Sequence, residues 1–163
     1  MYKHKAFRLF FQPISDFMRN ISPFVWLPIA VLIFGLGSLP VGIILFIAMF
    51  FPGVIMMYES FRSFPRDILE EAITAGAHSF NLIFSIELPV LKNQLVNIYR
   101  IQWSVGWTTV IAAEMLGVSS GLGFRLLDFR YLLEYESMFI YIVIIGFIGI
   151  VSDLLIRRIL PTE

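Results

Sequence analysis

Apolar residues in this chain do not alternate with polar ones; they gather in long runs, the first two uncharged and the others carrying few charges, separated by charged intervals. The first run extends from Ile21 to about Leu39 (ISPFVWLPIAVLIFGLGSL), and a second, Val41 to Tyr58, follows at once. A third covers about Gln94 to Leu116 and a fourth Ser137 to Ile156. A helix that crosses the hydrocarbon of a bilayer needs about 20 apolar residues, so the pattern predicts about four transmembrane helices and an all-α, polytopic membrane fold. Gly35, Gly37 and Pro40 allow only a tight turn between the first two spans (21–39 and 41–58), which must then form an antiparallel hairpin. Pro23, Pro28 and Pro52 lie in or near these spans and are expected to kink them where neighbouring helices satisfy the freed carbonyls.

The intervals between the runs narrow the picture. Residues 1–20 carry Lys3, Lys5, Arg8 and Arg19 and reach no apolar run of signal-peptide length before Pro13 and Asp16, so a cleaved signal is not expected. They read as a basic, partly amphipathic lead-in at the membrane surface, ahead of a single transmembrane domain over residues 21–163. The longest polar interval, 59–93, holds Glu59, Arg62, Arg66, Asp67, Glu70, Glu71, His78, Glu87 and Lys92. Within it DILEEAITAGA predicts a short amphipathic helix and SFNLIFSIEL a second, joined near Gly76 and closed by Pro89. A loop that is glycine-rich at its start (GVSSGLG) is expected from Gly117 to about Glu136, before the last span at 137–156.

Composition identifies the solvent. Of 163 residues, 58% are hydrophobic and 15% charged, whereas a soluble domain has about 45–50% and about 25%. Twelve basic residues balance twelve acidic ones without a basic block, and there is no cysteine, which excludes a nucleic-acid binder, a disordered tail and a disulfide scaffold. No phosphate-cradling Gly-rich loop, His-Glu-x-x-His motif or nucleophile elbow occurs, and His4 and His78 read as solvated side chains rather than metal ligands. No catalytic residue, cofactor or metal is therefore expected. Nine Lys and Arg residues lie in the N-terminal segment, the 59–93 interval and the C-terminal tail, against two, Arg125 and Arg130, in the intervals of opposite side. That bias puts both termini and residues 59–93 in the cytoplasm, and GVSSGLG outside.

The 59–93 interval carries Glu70-Glu71-Ala72, then Gly76-Ala77, then Leu88-Pro89, with Pro89 thirteen residues after Gly76. This resembles the Glu-Ala-Ala loop of the permease subunits of bacterial ABC importers. The residue types suit a docking element: Ala72, Ala75, Gly76 and Ala77 let a partner surface approach closely, and Pro89 suits the first turn of the next helix. Ile68, Leu69, Ala72 and Ile73 can form one apolar face. Further on, WTTVIAAEMLGVSSGLG looks like the branch that serves nitrate, sulfonate, taurine and bicarbonate importers, as does SPFVWLPIAVLIFGLG upstream. Two departures stand out: Glu71 occupies the place of the pattern's first Ala, and VLKNQ after Val90's predecessor Pro89 lacks the second Pro common in the branch.

The resemblance implies an inner-membrane permease subunit, with 59–93 as its cytoplasmic coupling-helix loop and Glu70, Glu71, Ala72, Gly76, Ala77, Leu88 and Pro89 contacting a separate ABC ATPase. It also implies a second permease copy, an external solute-binding protein that delivers a small anion or zwitterion, and relatives with further spans ahead of the segment matched here. The chain is thus expected to begin within the family's fold, and a split permease that inserts and assembles without transporting is the alternative. A channel or ion-driven carrier would not need a small-residue docking loop. Within the third span, 94–116, Arg100, Trp103, Trp107, Val110 and Glu114 share a face about 80° wide. Trp103, Trp107, Glu114, Gly121 and Gly123 are accordingly candidates for the translocation path or a dimer seam. The competing expectation is that Trp103 anchors at the interface, Arg100 snorkels, and Glu114 reaches the headgroups or caps structure around Gly117. Gly146 and Gly149 are expected to allow close helix packing.

Overall fold

The computed structural model describes residues 2–74 and 83–160, and every regular element among them is helical. Helix α1 (Tyr2–Asn20) leads through a 3-10 turn, Pro23–Trp26, into α2 (Leu27–Phe34). Then come α3 (Ser38–Arg62), α4 (Arg66–Thr74), a wide π-type turn at Ile83–Glu87, α5 (Leu88–Gly117), α6 (Leu122–Tyr131) and α7 (Tyr135–Ile159). Among the described residues α3 and α7, of 25 residues each, are long and apolar enough to cross a membrane singly. Two more spans count when bent pairs are joined: Gln12–Met18 with Pro23–Phe34, and Ile83–Gly117 with Leu122–Tyr131 across a 50° bend. The fold is all-α and polytopic, with two to four spans.

Several boundaries differ from those the residue pattern predicts, each for a local reason. The hairpin turn is shorter than expected, because Gly35 (φ 77°) and Gly37 (φ 154°) make it alone and α3 already starts at Ser38. Pro40 sits buried in the first turn of α3, where a missing N–H breaks no helical bond. Pro23 and Pro28 each stand at the first turn of a short helix, so the first span is broken rather than kinked. Pro89 does not close a second short helix: Ile83–Glu87 run straight into α5, with Pro89 in its first turn. Of the SFNLIFSIEL segment, residues 79–82 lie outside the described residues. The expected loop from Gly117 to Glu136 contains a ten-residue helix, α6.

The most extensive helix contact joins α3 to α5. The buried residues of α5, Leu91, Ile98, Gln102, Gly106, Thr109, Ala113 and Gly117, have spacings dominated by three and four residues that put them on one helical face, and Gln102, Gly106 and Gly117 of that face meet α3 directly. Leu27, Ala30, Val41, Ile44 and Ala113 form the buried cluster where α2, α3 and α5 meet. The Gly37 N–H donates to the Gly117 carbonyl at 2.9 Å and pins the turn between α2 and α3 onto the end of α5. By contrast α7 exposes Val143 (70%), Phe147 (65%) and Ile150 (62%). Apolar side chains at that exposure suit hydrocarbon rather than water.

Candidate functional site

Helix α5 has two contact faces, and the candidate residues divide between them. The first meets α3 where that helix contains Pro52 and Gly53. Gln102 is buried there, and its Nε2 donates to the Met49 carbonyl. One turn further, a Cβ on Gly106 would lie 3.0 Å from Met49 Sδ, so glycine lets the two helices touch.

The second face, about 110° around the helix axis, carries the stripe of Arg100, Trp103, Trp107 and Glu114. Each of these meets α7 or α6. Arg100 Nη2 donates to the Leu160 carbonyl at 2.5 Å and to the Arg157 carbonyl at 3.3 Å, satisfying acceptors that the end of α7 leaves unpaired. Trp103 Nε1 donates to Ser152 Oγ at 3.4 Å, and Ser152 Oγ in turn donates to the Gly149 carbonyl at 2.8 Å. Trp107 fills the space beside Gly149, where a Cβ would come within 2.7 Å of Nε1. The same test finds open space beside Gly146, so close packing is a property of Gly149 alone of the two. Within this chain Arg100, Trp103 and Trp107 thus hold α7 to α5, while Glu114 meets α6.

Glu114 ends the stripe by capping α6. Its Oε2 accepts the Gly123 N–H at 2.9 Å, and a carboxylate at a helix N-terminus also meets the positive end of the helix dipole. Both glycines serve this joint. Gly121 has φ 127°, and a Cβ there would lie 2.6 Å from the Glu114 carboxylate; a Cβ on Gly123 would fall onto the Ile111 carbonyl oxygen. Such a hydrogen bond to a charged acceptor contributes about 1.5–3 kcal/mol. Of the expectations for Glu114, capping is the one this geometry displays, with the cap on α6.

The short helix α4 follows α3 in the chain and precedes α5. Asp67, Glu70 and Glu71 are exposed on it, Ala72 is half-buried, and Asp67, Glu70, Glu71 and Thr74 border one shallow open groove. Thr74 Oγ1 donates back to the Glu70 carbonyl at 2.7 Å, closing the last turn. Leu88 is half-buried and Pro89 exposed at the start of α5, while Gly76 and Ala77 lie outside the described residues. Among the described residues no group of three or more His, Cys, Asp or Glu side chains could hold a metal ion.

Residues 1–162 match the family described as binding-protein-dependent transport system inner membrane component. The chain belongs to that family. It is 31% identical over 141 residues to a protein of Methanocaldococcus jannaschii named as an ABC transporter permease, covering 86% of this chain and 53% of the relative. To the taurine transport system permease of Escherichia coli it is 26% identical over 145 residues, 89% of this chain and 53% of that one. To the bicarbonate transport system permease of Synechococcus elongatus it is 31% identical over 144 residues, 86% and 51%. The chain thus spans about half the length of these relatives. In this family member, nothing local in the sequence marks Gln102 and Gly53 as a pair. A glutamine in an apolar span was the available signal, but its partner carbonyl lies 53 residues away.

Proposed function

We propose that this chain is a transmembrane permease subunit of an ABC importer for a small anionic or zwitterionic solute of the nitrate, sulfonate or taurine type. A separate ATPase docks on residues 59–93 from the cytoplasm, a second permease copy completes the route, and an external binding protein supplies solute. The permease itself alternates access and makes no covalent bonds. The observation that carries the reading is the position of α4 in the chain: an acidic, amphipathic helix between α3 and α5, the two helices with the most extensive contact. A push on α4 is delivered to the centre of the bundle. Family membership supports the transport role, and the names of the taurine and bicarbonate relatives support the solute class. Residues 1–20 act as the interfacial lead-in and 21–163 as one domain, with both termini cytoplasmic. The stripe of Trp103, Trp107 and Glu114, with Gly121 and Gly123, holds the bundle around that route.

Replacing Gly76 by Trp tests the reading on sequence grounds. In proteoliposomes with the ATPase and the loaded binding protein, Gly76→Trp should insert normally and lose stimulated ATP hydrolysis and ATP-driven uptake. Unchanged transport would overturn the coupling assignment. Capture of the ATPase by the unsubstituted chain without any stimulation would instead mark a membrane assembly module.

A further inference from the structure

We propose that Gln102 is a positioning residue that latches α5 to α3 beside Pro52, so that the two arms holding residues 63–87 move as one body. The inference rests on the coupling role proposed above for that loop. Three observations converge on it.

First, the fit is specific. The Gln102 amide occupies the place a side chain at Gly53 would take: a Cβ built on Gly53 falls onto Nε2 and lies 3.4 Å from Cδ. Only glycine at 53 admits the amide, and only a side chain of this reach brings Nε2 to the Met49 carbonyl. Second, the latch is set at a weak point. Pro52 has no N–H to give to the carbonyl four residues earlier, Ala48, so α3, though continuous, lacks one helical hydrogen bond over this turn, the usual site of a helix hinge. Third, packing alone does not account for a glutamine here. Gln102 is 8% exposed and its Oε1 is buried without a hydrogen-bond partner, so half of the amide is unsatisfied in apolar surroundings. A leucine of similar volume would avoid that penalty, whereas a polar group retained at such a cost can fix the register of two helices.

The geometry beyond the latch gives it leverage. From Met49 to Arg62 and from Gln102 to Leu88 the two arms each run about 20 Å toward the loop, at about 1.5 Å per residue. A hinge at Pro52 without the latch would let α3 swing while α5 stayed in place. With the latch, a displacement of the loop reaches both helices together.

The test uses the full complex of permease, ATPase and binding protein in nanodiscs. Spin labels go on the exposed positions Met57 of α3 and Val90 of α5, as Met57→Cys and Val90→Cys in a chain that has no cysteine of its own. With Gln102 present the label distance should be narrowly distributed. Gln102→Leu should broaden it and lower the ratio of stimulated to basal ATP hydrolysis by about threefold, the shift that one interhelical hydrogen bond of average strength in a bilayer provides. ATPase capture should not change. Gly53→Ala, which displaces the amide from the α3 side, should do the same, and the two substitutions together should do no more than either alone. If Gln102→Leu fails to insert, Gly53→Ala decides. A distance distribution and stimulation ratio like those of the unsubstituted complex in either variant would overturn the latch. So would broadening without loss of stimulation. Failure of the unsubstituted chain to capture the ATPase would overturn the coupling role instead, and the label distances would still read the latch by themselves.

Discussion

Gly123→Ala puts the joint between α5 and α6 under the most direct strain. The added Cβ would fall on the Ile111 carbonyl oxygen and come within 2.9 Å of Glu114 Cβ and 3.0 Å of the Ile111 carbonyl carbon. Two of these atoms are backbone of the central helix, which cannot rotate aside. To restore ordinary carbon contact distances α6 must lift by about 1 Å. That movement stretches the 2.9 Å hydrogen bond from the Gly123 N–H to Glu114 Oε2 beyond hydrogen-bonding range. Losing a hydrogen bond to a charged acceptor costs about 1.5–3 kcal/mol and overpacking about 1–3 kcal/mol. Because movement relieves one at the expense of the other, the net is about 2–4 kcal/mol. For a chain of this size that lowers the unfolding midpoint by about 5–15 °C. The assay is thermal unfolding in nanodiscs, with Gly146→Ala as the control, since a Cβ at Gly146 meets nothing within 4 Å. A Gly123→Ala midpoint within a degree of the control would show that the joint between α5 and α6 does not depend on this contact.

Two further substitutions probe helix ends. Leu133 has φ 60° and closes α6, its N–H donating to the Arg130 carbonyl at 3.2 Å while the next N–H, of Glu134, reaches Phe129 at 2.9 Å. Glycine is the usual residue at such an end, and Leu133 is largely exposed, so Leu133→Gly should stabilise by about 1 kcal/mol; a lowered midpoint in thermal unfolding would contradict this. Arg100→Ala should remove the donor that holds the Arg157 and Leu160 carbonyls, and amide exchange over residues 156–160 should quicken by about tenfold, with Arg100→Lys in between. Exchange unchanged in Arg100→Ala would show that the end of α7 is held by other contacts.

How much could be read from residues alone depended on whether the deciding interaction was local. Long apolar runs and the polar interval around Glu70 and Glu71 carry their own signal, and the helices of the structure follow them. The phase of Arg100, Trp103, Trp107 and Glu114 was also legible, because helical periodicity is local. What that face touches was not, since Ser152 lies 49 residues from Trp103 and Leu160 lies 60 from Arg100. Helix α6 was hidden for a related reason. Its capping carboxylate, Glu114, stands nine residues before Gly123 rather than at the adjacent cap position, and Arg125, Asp128 and Arg130 give the segment the polarity of a loop. From the residues alone Pro23 and Pro28 read as kinks and Pro89 as the close of a short helix, whereas each stands in the first turn of a helix, a choice settled by the surrounding packing.

In the function proposed above, α4 meets the ATPase and transmits its motion to α3 and α5. Because the chain has no cysteine, Ala72→Cys places a unique thiol on α4, and Val143→Cys places one on the exposed face of α7 as the comparison. In membranes holding the whole complex, a short bifunctional maleimide should join Ala72→Cys to an engineered cysteine in the ATPase's permease-facing groove, in an amount that changes when ATP is added, and should join Val143→Cys to nothing in the ATPase. Absence of the product from Ala72→Cys, or equal yield from both positions, would overturn the docking of the ATPase on α4.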